Sequence, residues 1–570
     1  MSDEVDYLIV GGGSAGCVLA SRLSEDESNK VVLIEAGEDT PPGMVPDEIA
    51  DAYWVRAYLN QRFLWNDLKV TTQARSHNQP PGEAPPLRRY EQARILGGGS
   101  SINGQLANRG SPNDYDDWER RGAKGWNWES VLPFFRKVER DLDYDGPFHG
   151  NAGRIPVTRV MPDQWCGHAK AAAQAFADSG YEYLPDQNGE FREGYFPITM
   201  SNAYDRRVSS AIGYLDAGVR QRKNLTIHTQ THVGRLLFDG RRCIGVEAHS
   251  DGAAFKIRAR EVILSAGAIH SPAMLLRAGI GPAGELKEQG VEVRADRPGV
   301  GKGLQDHAAV IVAAFVQPDA RLDRRMKRHS VLGLRYSSQV PDTPSGDMFM
   351  AVLSKSTWHE VGRQLGSFLV FVNKPFSEAG EVRLQSPDWR REPQVDFNLL
   401  SDYRDVTRLL DGVRFAAGLH EKQGLAEVTD PPFPAYYSER VRKYFAVNRT
   451  NAAMTSVLAK LLDGPAPLRR WCINNLMLER YDMAGVLGNQ ETGESFVREA
   501  ATGVWHATSS CRMGASDDRK AVTDEEGRVY GVEGLRVVDA SIFPAIPCAN
   551  TNFPTMMAAE RIAHAIREAG

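Results

Sequence analysis

The sequence predicts an α/β protein: a doubly wound, largely parallel sheet of the Rossmann type, joined to a second, α+β domain with a mainly antiparallel sheet. Three observations predict it. Apolar runs of buried-strand character lead into helical patterns at both ends of the chain, a glycine turn links the first strand to the first helix, and short strand-like runs fill the middle.

The first strand is Tyr7-Leu8-Ile9-Val10, apolar throughout and rich in branched residues, as in a strand buried on both faces. Gly11, Gly13 and Gly16 follow with G-x-G-x-x-G spacing, and Ala15–Leu23 places apolar residues at helical intervals. Val31–Ile34 is a second buried-type strand and ends at Glu35, at about the 20-residue distance expected of a ribose-binding acid. Strand, glycine turn, helix and acid together predict a dinucleotide site. The turn lets backbone approach a pyrophosphate, the helix start offers free N–H groups, and the acid accepts from a ribose diol. The motif by itself does not distinguish NAD from FAD.

Bulk composition removes several classes. Among 570 residues, 68 basic and 73 acidic side chains leave a net charge of -5, which gives no electrostatic case for nucleic acid. No uncharged apolar run approaches the ~20 residues that cross a bilayer, so no membrane partner is expected. The six cysteines form no C-x-x-C pair, and the opening MSDEVD resembles no targeting leader, so the expected location is cytoplasmic. The length suits about two to four domains.

From Glu38 to Pro86 prolines (Pro41-Pro42, Pro46, Pro80-Pro81, Pro85-Pro86) break any long element, but Tyr53-Trp54, Tyr58 and Phe63-Leu64-Trp65 make the stretch too apolar for a linker. It is expected as an extended cover on the first domain. Arg94–Gly104 is a second glycine-rich segment, where small residues let backbone lie against a flat ligand. Asp114–Trp118 and Gly125–Trp128 bracket a helix start whose tryptophans are expected as core anchors, and Val131–Val138 continues as helix. Residues 155–200 hold one helix, His168–Ser179. Asn224–His228, Val233–Phe238 and Cys243–Ala248 read as a small sheet, and Glu261–Ile269 is again a strand running into a small-residue turn. Val310–Val316, Val331–Tyr336, Met348–Leu353, Phe368–Val372 and Val382–Gln385 predict one antiparallel sheet, followed by helices over Asp405–Leu419 and Ser438–Arg498. Leu535–Ser541 is a strand, and a helix is expected over Met556–Ile566. The expected division is 1–154, 201–307 and 500–570 for the first domain, with 155–200 and 308–499 for the second.

ARILGGGSSING with RGSPNDYDDW, EVILSAGAIHSPAMLLRAGIGP, PGVGKGLQDH, WHATSSCRMG and VVDASIFPAIPCANTNFPTMMAAE occur in that order along the chain. With the opening fingerprint they resemble the glucose–methanol–choline (GMC) family of FAD-dependent oxidoreductases, and GEVRLQSPDWRREPQVDFNLLSD and FLVFVNKPFS look most like its 5-hydroxymethylfurfural and aryl-alcohol oxidases. The resemblance implies FAD. It assigns Gly11, Gly13, Ser14, Gly16, Glu35 and Ala36 to the adenosine diphosphate half, with Val233 meeting the adenine through its backbone. Trp65, Arg94, Gly98, Ser101, Asn103 and Ala266 are further cofactor contacts. Asp539, Ala540, Asn552, Phe553 and Thr555 close over the isoalloxazine. By position His506 matches the catalytic histidine and Asn552 the second active-site residue. Ser509-Ser510 departs from the glycine and threonine that many members carry there.

Such residues suit alcohol oxidation. Neutral imidazole, with an ordinary pKa of about 6.5, takes the hydroxyl proton, and Asn552 donates to the substrate oxygen. Turnover is therefore expected to rise with pH. Leu369 and Phe371, with Val504 and Trp505 beside the base, are expected to line a pocket for aromatic or furanic primary alcohols, with hydrated aldehydes as further substrates and molecular oxygen as acceptor. A choline-like or aliphatic dehydrogenase and an FAD-containing hydroxynitrile lyase are the rivals. No metal is expected, and His307 is expected as a structural histidine.

Overall fold

Val5–Val10 lies at the centre of the first sheet of the computed structural model, which describes residues 4–73, 87–435, 439–478 and 480–569. It pairs in parallel with Val31–Ile34 on one side and with Ala253–Leu264 on the other. Leu225–His228 extends the sheet beyond Val31–Ile34, and Leu535–Val537 lies beside the end of Ala253–Leu264, both parallel. All four residues of Val31–Ile34 are buried, as an apolar strand covered on both faces must be.

The twelve-residue strand Ala253–Leu264 serves two sheets. Its second half is parallel to Val5–Val10, whereas its first half pairs antiparallel with Arg242–Ser250, which in turn pairs with His232–Asp239. Leu225–His228 therefore belongs to the main parallel sheet and not to the small sheet expected from its sequence neighbours. Ser14–Leu23 and Asn552–Ala569 form a helical layer, the latter starting earlier than its sequence pattern suggested. Trp118 and Trp126 are fully buried, and each donates its indole N–H to a backbone carbonyl, of Ala545 at 2.9 Å and Glu525 at 3.0 Å.

The second sheet runs Phe433–Ala435, Ala308–Phe315, Leu365–Val372, Met348–Leu353, Ser330–Tyr336 and Gly194–Pro197, all antiparallel, with Thr502–Gly503 added to Ala308–Ala309. Period-two alternation gives it two faces. Val310, Val312, Met348, Met350, Phe368 and Val370 pack with Leu409, Leu410 and Val413 of the helix Tyr403–Leu419. Ala309, Phe349, Ala351 and Phe371, with Leu369 at their edge, form the opposite face.

The run around Val382 departs from expectation. Gly380–Arg383 joins Lys302–Leu304, Gln394–Leu399, Lys69–Gln73 and Arg88–Arg89 in a separate five-stranded sheet. The strand Lys69–Gln73 of the expected cover segment thus pairs with Gln394–Leu399 of the expected second domain. Pro80, Pro81, Pro85 and Pro86 lie outside the described residues. Among the described residues no helix is long and apolar enough to cross a membrane.

A charged cluster is enclosed near the helix Trp128–Val138. Arg159 grips Asp141 with two hydrogen bonds of 2.9 Å, Arg109 pairs with Glu139, and His149 lies 2.7 Å from Asp186, 3.1 Å from Asp141 and 3.3 Å from Glu139. Glu139, Asp141 and His149 each offer a ligand atom within 4.8 Å of the others, and Arg109, Arg159 and His149 face four carboxylates, Glu139, Asp141, Asp186 and, 3.6 Å from Arg159, Asp143. Burial opposes charge on His149, yet the hydrogen bonds from Asp141, Asp186 and Glu139 outweigh it and raise its pKa to about 11. A raised histidine pKa stabilises the fold in full below the unfolded value of about 6.5 and progressively less as pH climbs toward 11. His149→Gln is therefore expected to lower the unfolding free energy by about 3 kcal/mol at neutral pH. Denaturant titrations should show the gap to wild type narrowing above about pH 7.

Candidate active site

The helix Ser14–Leu23 begins directly after the glycine turn, with Gly13 as its cap residue. Gly13 has no side chain to occupy the first N–H groups, and the first turn holds no acid. These donors are left for an anion. Gly11 has φ +103°, and a Cβ there would lie 2.5 Å from the Ser265 carbonyl oxygen. Glu35 is buried at the end of the second strand and accepts from the Gly12 and Gly37 N–H groups at 2.9 and 2.7 Å. Burial raises its pKa despite those two bonds.

A cavity of about 410 Å3 runs from this turn to His506. Gly11, Gly13, Ser14, Glu35, Ala36, Trp65, Gly98, Asn103, Val233, Ala266, Asp539, Ala540, Asn552 and Thr555 all line it, as do Leu369, Phe371, Val504, Trp505 and His506. Four expected cofactor contacts do not. Gly16 sits in the helix against the Gly11 carbonyl, and Ser101 turns away to donate to the Leu96 carbonyl at 2.9 Å. Arg94 lies on the outside over the Trp65 ring, 5.0 Å from its centroid. Phe553 is fully buried and stacks on Phe135. A helical residue directly after Asn552 faces another direction, which here is the core.

The principal correction concerns the partner of His506. Asn552 is turned toward the glycine turn, where its Oδ1 accepts from the Ser14 hydroxyl at 2.7 Å. The amide beside the histidine belongs to Asn550, whose Nδ2 is 3.0 Å from His506 Nε2. Asn550 is itself held by a 2.9 Å bond from its backbone N–H to Asn108 Oδ1. CANTN carries two asparagines two residues apart, and the helix starting at Asn552 separates them. The residue inside the helix looks back along the first helix, and the residue before it reaches the base.

His307 was also assigned too small a part. Its Nδ1 is 2.8 Å from His506 Nδ1, with the rings at 88°. Facing nitrogens require a proton on one of them. With the Asn550 amide donating to Nε2 of His506, a neutral His506 carries its proton on Nδ1 and donates it to His307, and its Nε2 lone pair, at the cavity, accepts from Asn550. Burial lowers the His506 pKa to about 3, and burial together with the His506 charge holds His307 well below its ordinary value. Both rings are neutral across the physiological range. Ordinary histidine titration near 6.5 consequently does not describe His506.

The wall opposite the cofactor turn is aromatic. Trp505 meets Tyr58 edge to face at 5.0 Å, Tyr58 meets Trp54 at 5.0 Å, and Trp54 donates its indole N–H to His329 Nε2 at 2.9 Å. Tyr58 and Trp54 come from the expected cover segment, whose aromatic content was the available signal. Ser509, in the departing serine pair, has φ +72° and donates its N–H to the Ala540 carbonyl, while the Ser510 hydroxyl donates to the Ala268 carbonyl at 2.6 Å.

A doubly wound sheet with a glycine-lined anion cradle, joined to an antiparallel sheet with an imidazole at their junction, defines a dinucleotide-dependent oxidoreductase. The chain belongs to the GMC oxidoreductase family, whose two models match residues 5–309 and 375–559. It is an FAD-dependent enzyme acting on CH–OH donors. Over 580 residues it is 43% identical to the 5-(hydroxymethyl)furfural oxidase of a Methylovorus species, covering 99% of each chain. It is 31% identical to the mitochondrial choline dehydrogenase of Mus musculus, over 99% of this chain and 90% of that protein. Among solved structures, pyridoxine 4-oxidase from Mesorbium loti superimposes with a TM-score of 0.80 at 25% identity, over 99% of both chains. Formate oxidase of Aspergillus oryzae has the same fold, with a TM-score of 0.82 at 22% identity over 100% of this chain and 99% of that chain. Gly11→Ala is expected to yield protein without flavin, because the new Cβ meets the Ser265 carbonyl where the backbone must approach the pyrophosphate. The visible absorbance of the purified variant checks this.

Proposed function

We propose that the enzyme oxidises aromatic or furanic primary alcohols to aldehydes, with hydrated aldehydes as further substrates and molecular oxygen as acceptor. The net reaction is alcohol plus oxygen to aldehyde plus hydrogen peroxide. The observation that carries the reading is an apolar, aromatic wall next to one neutral imidazole, in a chain 43% identical over nearly its full length to a furfural oxidase. FAD, when bound, accepts the two electrons that leave the carbinol carbon.

The chain's own residues then have definite tasks. His506 Nε2 takes the hydroxyl proton, since its Nδ1 is engaged with His307. As charge moves onto the ring, His307 accepts from Nδ1 and shares it. The Asn550 amide beside Nε2 donates to the substrate oxygen as it becomes alkoxide-like. Leu369, Phe371, Val504 and Trp505 hold a flat ring and exclude water from the base. Asn552, with Ser14, is a cofactor-side residue in this reading.

Three of the four acids at the cavity are committed to protein partners, which favours a neutral substrate over a quaternary ammonium. Among the described residues lining it, Glu35 is bound to Gly12 and Gly37, Glu91 lies 3.4 Å from Arg442, Glu392 pairs with His270 at 2.9 Å, and Asp539 accepts from Ser271 and Gly267. Glu35, Glu392 and Asp539 are therefore engaged, and Glu91, whose Oε2 has no hydrogen-bond partner among the described residues, has its pKa raised by burial.

His506→Ala is expected to retain FAD and lose about 10²–10⁴-fold in kcat. Asn550→Ala should lose about 10²–10³-fold, whereas flavin-loaded Asn552→Ala should stay within about tenfold of wild type. Stopped-flow reduction of the bound flavin under anaerobic conditions measures all three, and equal losses at Asn550 and Asn552 would contradict the assignment. A panel of benzyl alcohol, 5-(hydroxymethyl)furfural and choline, assayed for peroxide in air and for dye reduction without oxygen, tests the substrate class. The two aromatic alcohols should give one peroxide for each aldehyde formed and a second for each aldehyde carried on to the acid, and choline almost none. Dye reduction without peroxide would identify a dehydrogenase.

A further inference from the structure

We propose that Asp306 is the positioning residue of the base: one buried carboxylate oxygen ties down both the loop that carries His506 and the strand end that carries His307, and so fixes the contact between the two imidazoles. The inference rests on the reading of His506 as the base.

The geometry converges on a single atom. Asp306 is 2% exposed, and its Oδ1 accepts from the N–H groups of His307 at 2.8 Å, His506 at 2.9 Å and Val504 at 3.3 Å. Thr502–Gly503 pairs antiparallel with Ala308–Ala309, so the two histidines leave neighbouring strands and Asp306 stands at their common corner. The loop it holds is strained. Trp505 has φ +60°, the left-handed region that a bulky residue occupies only where its surroundings impose it. Converging N–H groups on one anion impose it here. Gly503 is part of the same device, since a Cβ there would lie 2.2 Å from Asp306 Oδ2. A histidine carried on a strained loop needs such an anchor, because displacement of a base by about 1 Å costs about 10²-fold in rate.

Among the described residues the hydrogen bonds to this carboxylate come from backbone N–H groups. Around it stand the neutral His307 and His506 rings, Tyr90 from the segment after Arg88–Arg89, and Arg88, Arg89 and Arg442, which with Asp306, Gly503 and Trp505 line a small void behind the tryptophan. Burial dominates, raising its pKa to about 7 against the N–H bonds. The sign follows. Above that pH the anion accepts all its N–H groups, and below it the protonated acid holds them weakly. His506 does not titrate in this range, so an acid limb near neutrality belongs to Asp306.

The test uses the FAD-loaded enzyme and its aryl alcohol substrate, with kcat/KM followed from about pH 5 to about pH 9. Wild type should lose activity on acidification with a midpoint near 7. Asp306→Asn should keep its flavin, lose about 10²-fold at the alkaline plateau and show no such midpoint. Gly503→Ala, which pushes on the same carboxylate from the other side, should lose about 10-fold or more at the plateau with the midpoint retained. An Asp306→Asn enzyme within about threefold of wild type, or one that keeps the midpoint, overturns the proposal. Should that variant fail to accumulate, a Gly503→Ala enzyme within about threefold of wild type overturns it instead. A fully active His506→Ala enzyme would defeat the reading of the base itself. An inactive His506→Ala enzyme beside a normal Asp306→Asn enzyme defeats the positioning role alone.

Discussion

The contact between the helix Ser14–Leu23 and the helix Asn552–Ala569 is the one on which the rest of the structure depends. Glu560 on the second helix is fully buried, and it accepts from Arg22 Nε at 2.9 Å to both its oxygens, from Arg22 Nη2 at 2.8 Å and from the Tyr214 hydroxyl at 2.8 Å. At the cofactor end the Ser14 hydroxyl meets Asn552. A buried carboxylate that lost these donors would be left uncompensated, so the two helices are held strongly against each other. The chain's first helix and its last are thereby fixed in register. This places Asn550, just before the last helix, at the far side of a site whose anion cradle is made by residues near the beginning.

What the sequence made legible follows from how local each feature is. The glycine turn, Glu35 and the buried strands are encoded within a few residues, and their structure follows their pattern. The strand around Val382 was recognisable as a strand, but its partners were not, because Lys302–Leu304 and Lys69–Gln73 lie far away in sequence and no periodicity names a partner. Leu225–His228 shows the same gap. It is followed closely by strands of an antiparallel ladder, yet it pairs in parallel across a crossover. For the site, His506 and the aromatic walls were legible and the choice between Asn550 and Asn552 was not. That choice depends on where one helix begins, and helix starts are the least determined part of a sequence pattern. His307 and Asp306 were hidden for another reason. Their significance lies wholly in the pairing of Thr502–Gly503 with Ala308–Ala309.

Burial governs the electrostatics of the site. It makes imidazolium costly, so His506 rests as a neutral ring, and the same low-dielectric surroundings strengthen each hydrogen bond that the ring makes. A lone neutral imidazole in such a place would be a weak proton acceptor. Here Nδ1 of the ring faces Nδ1 of His307 at 2.8 Å, and the backbone N–H groups of both histidines are held by Asp306 Oδ1. The arrangement therefore separates resting state from reacting state: little charge is buried before substrate binds, and the groups that answer to charge are aligned in advance.

The position of the base relative to the substrate wall has a consequence for specificity. His506, His307, Asp306 and Asn550 are fixed by loops and strand ends at the junction, whereas Leu369, Phe371 and Ala351 lie on the open face of the antiparallel sheet. That sheet is supported from behind by the helix Tyr403–Leu419 through Met350, Phe368 and Val370, the alternate residues of the same strands. Period-two alternation thus lets the open face change its side chains without disturbing the packing behind it, and without touching the hydrogen bonds that hold the base. The imidazole pair is thus held at one edge of the sheet and the apolar lining of the cavity is supplied by its face, so the two can vary independently.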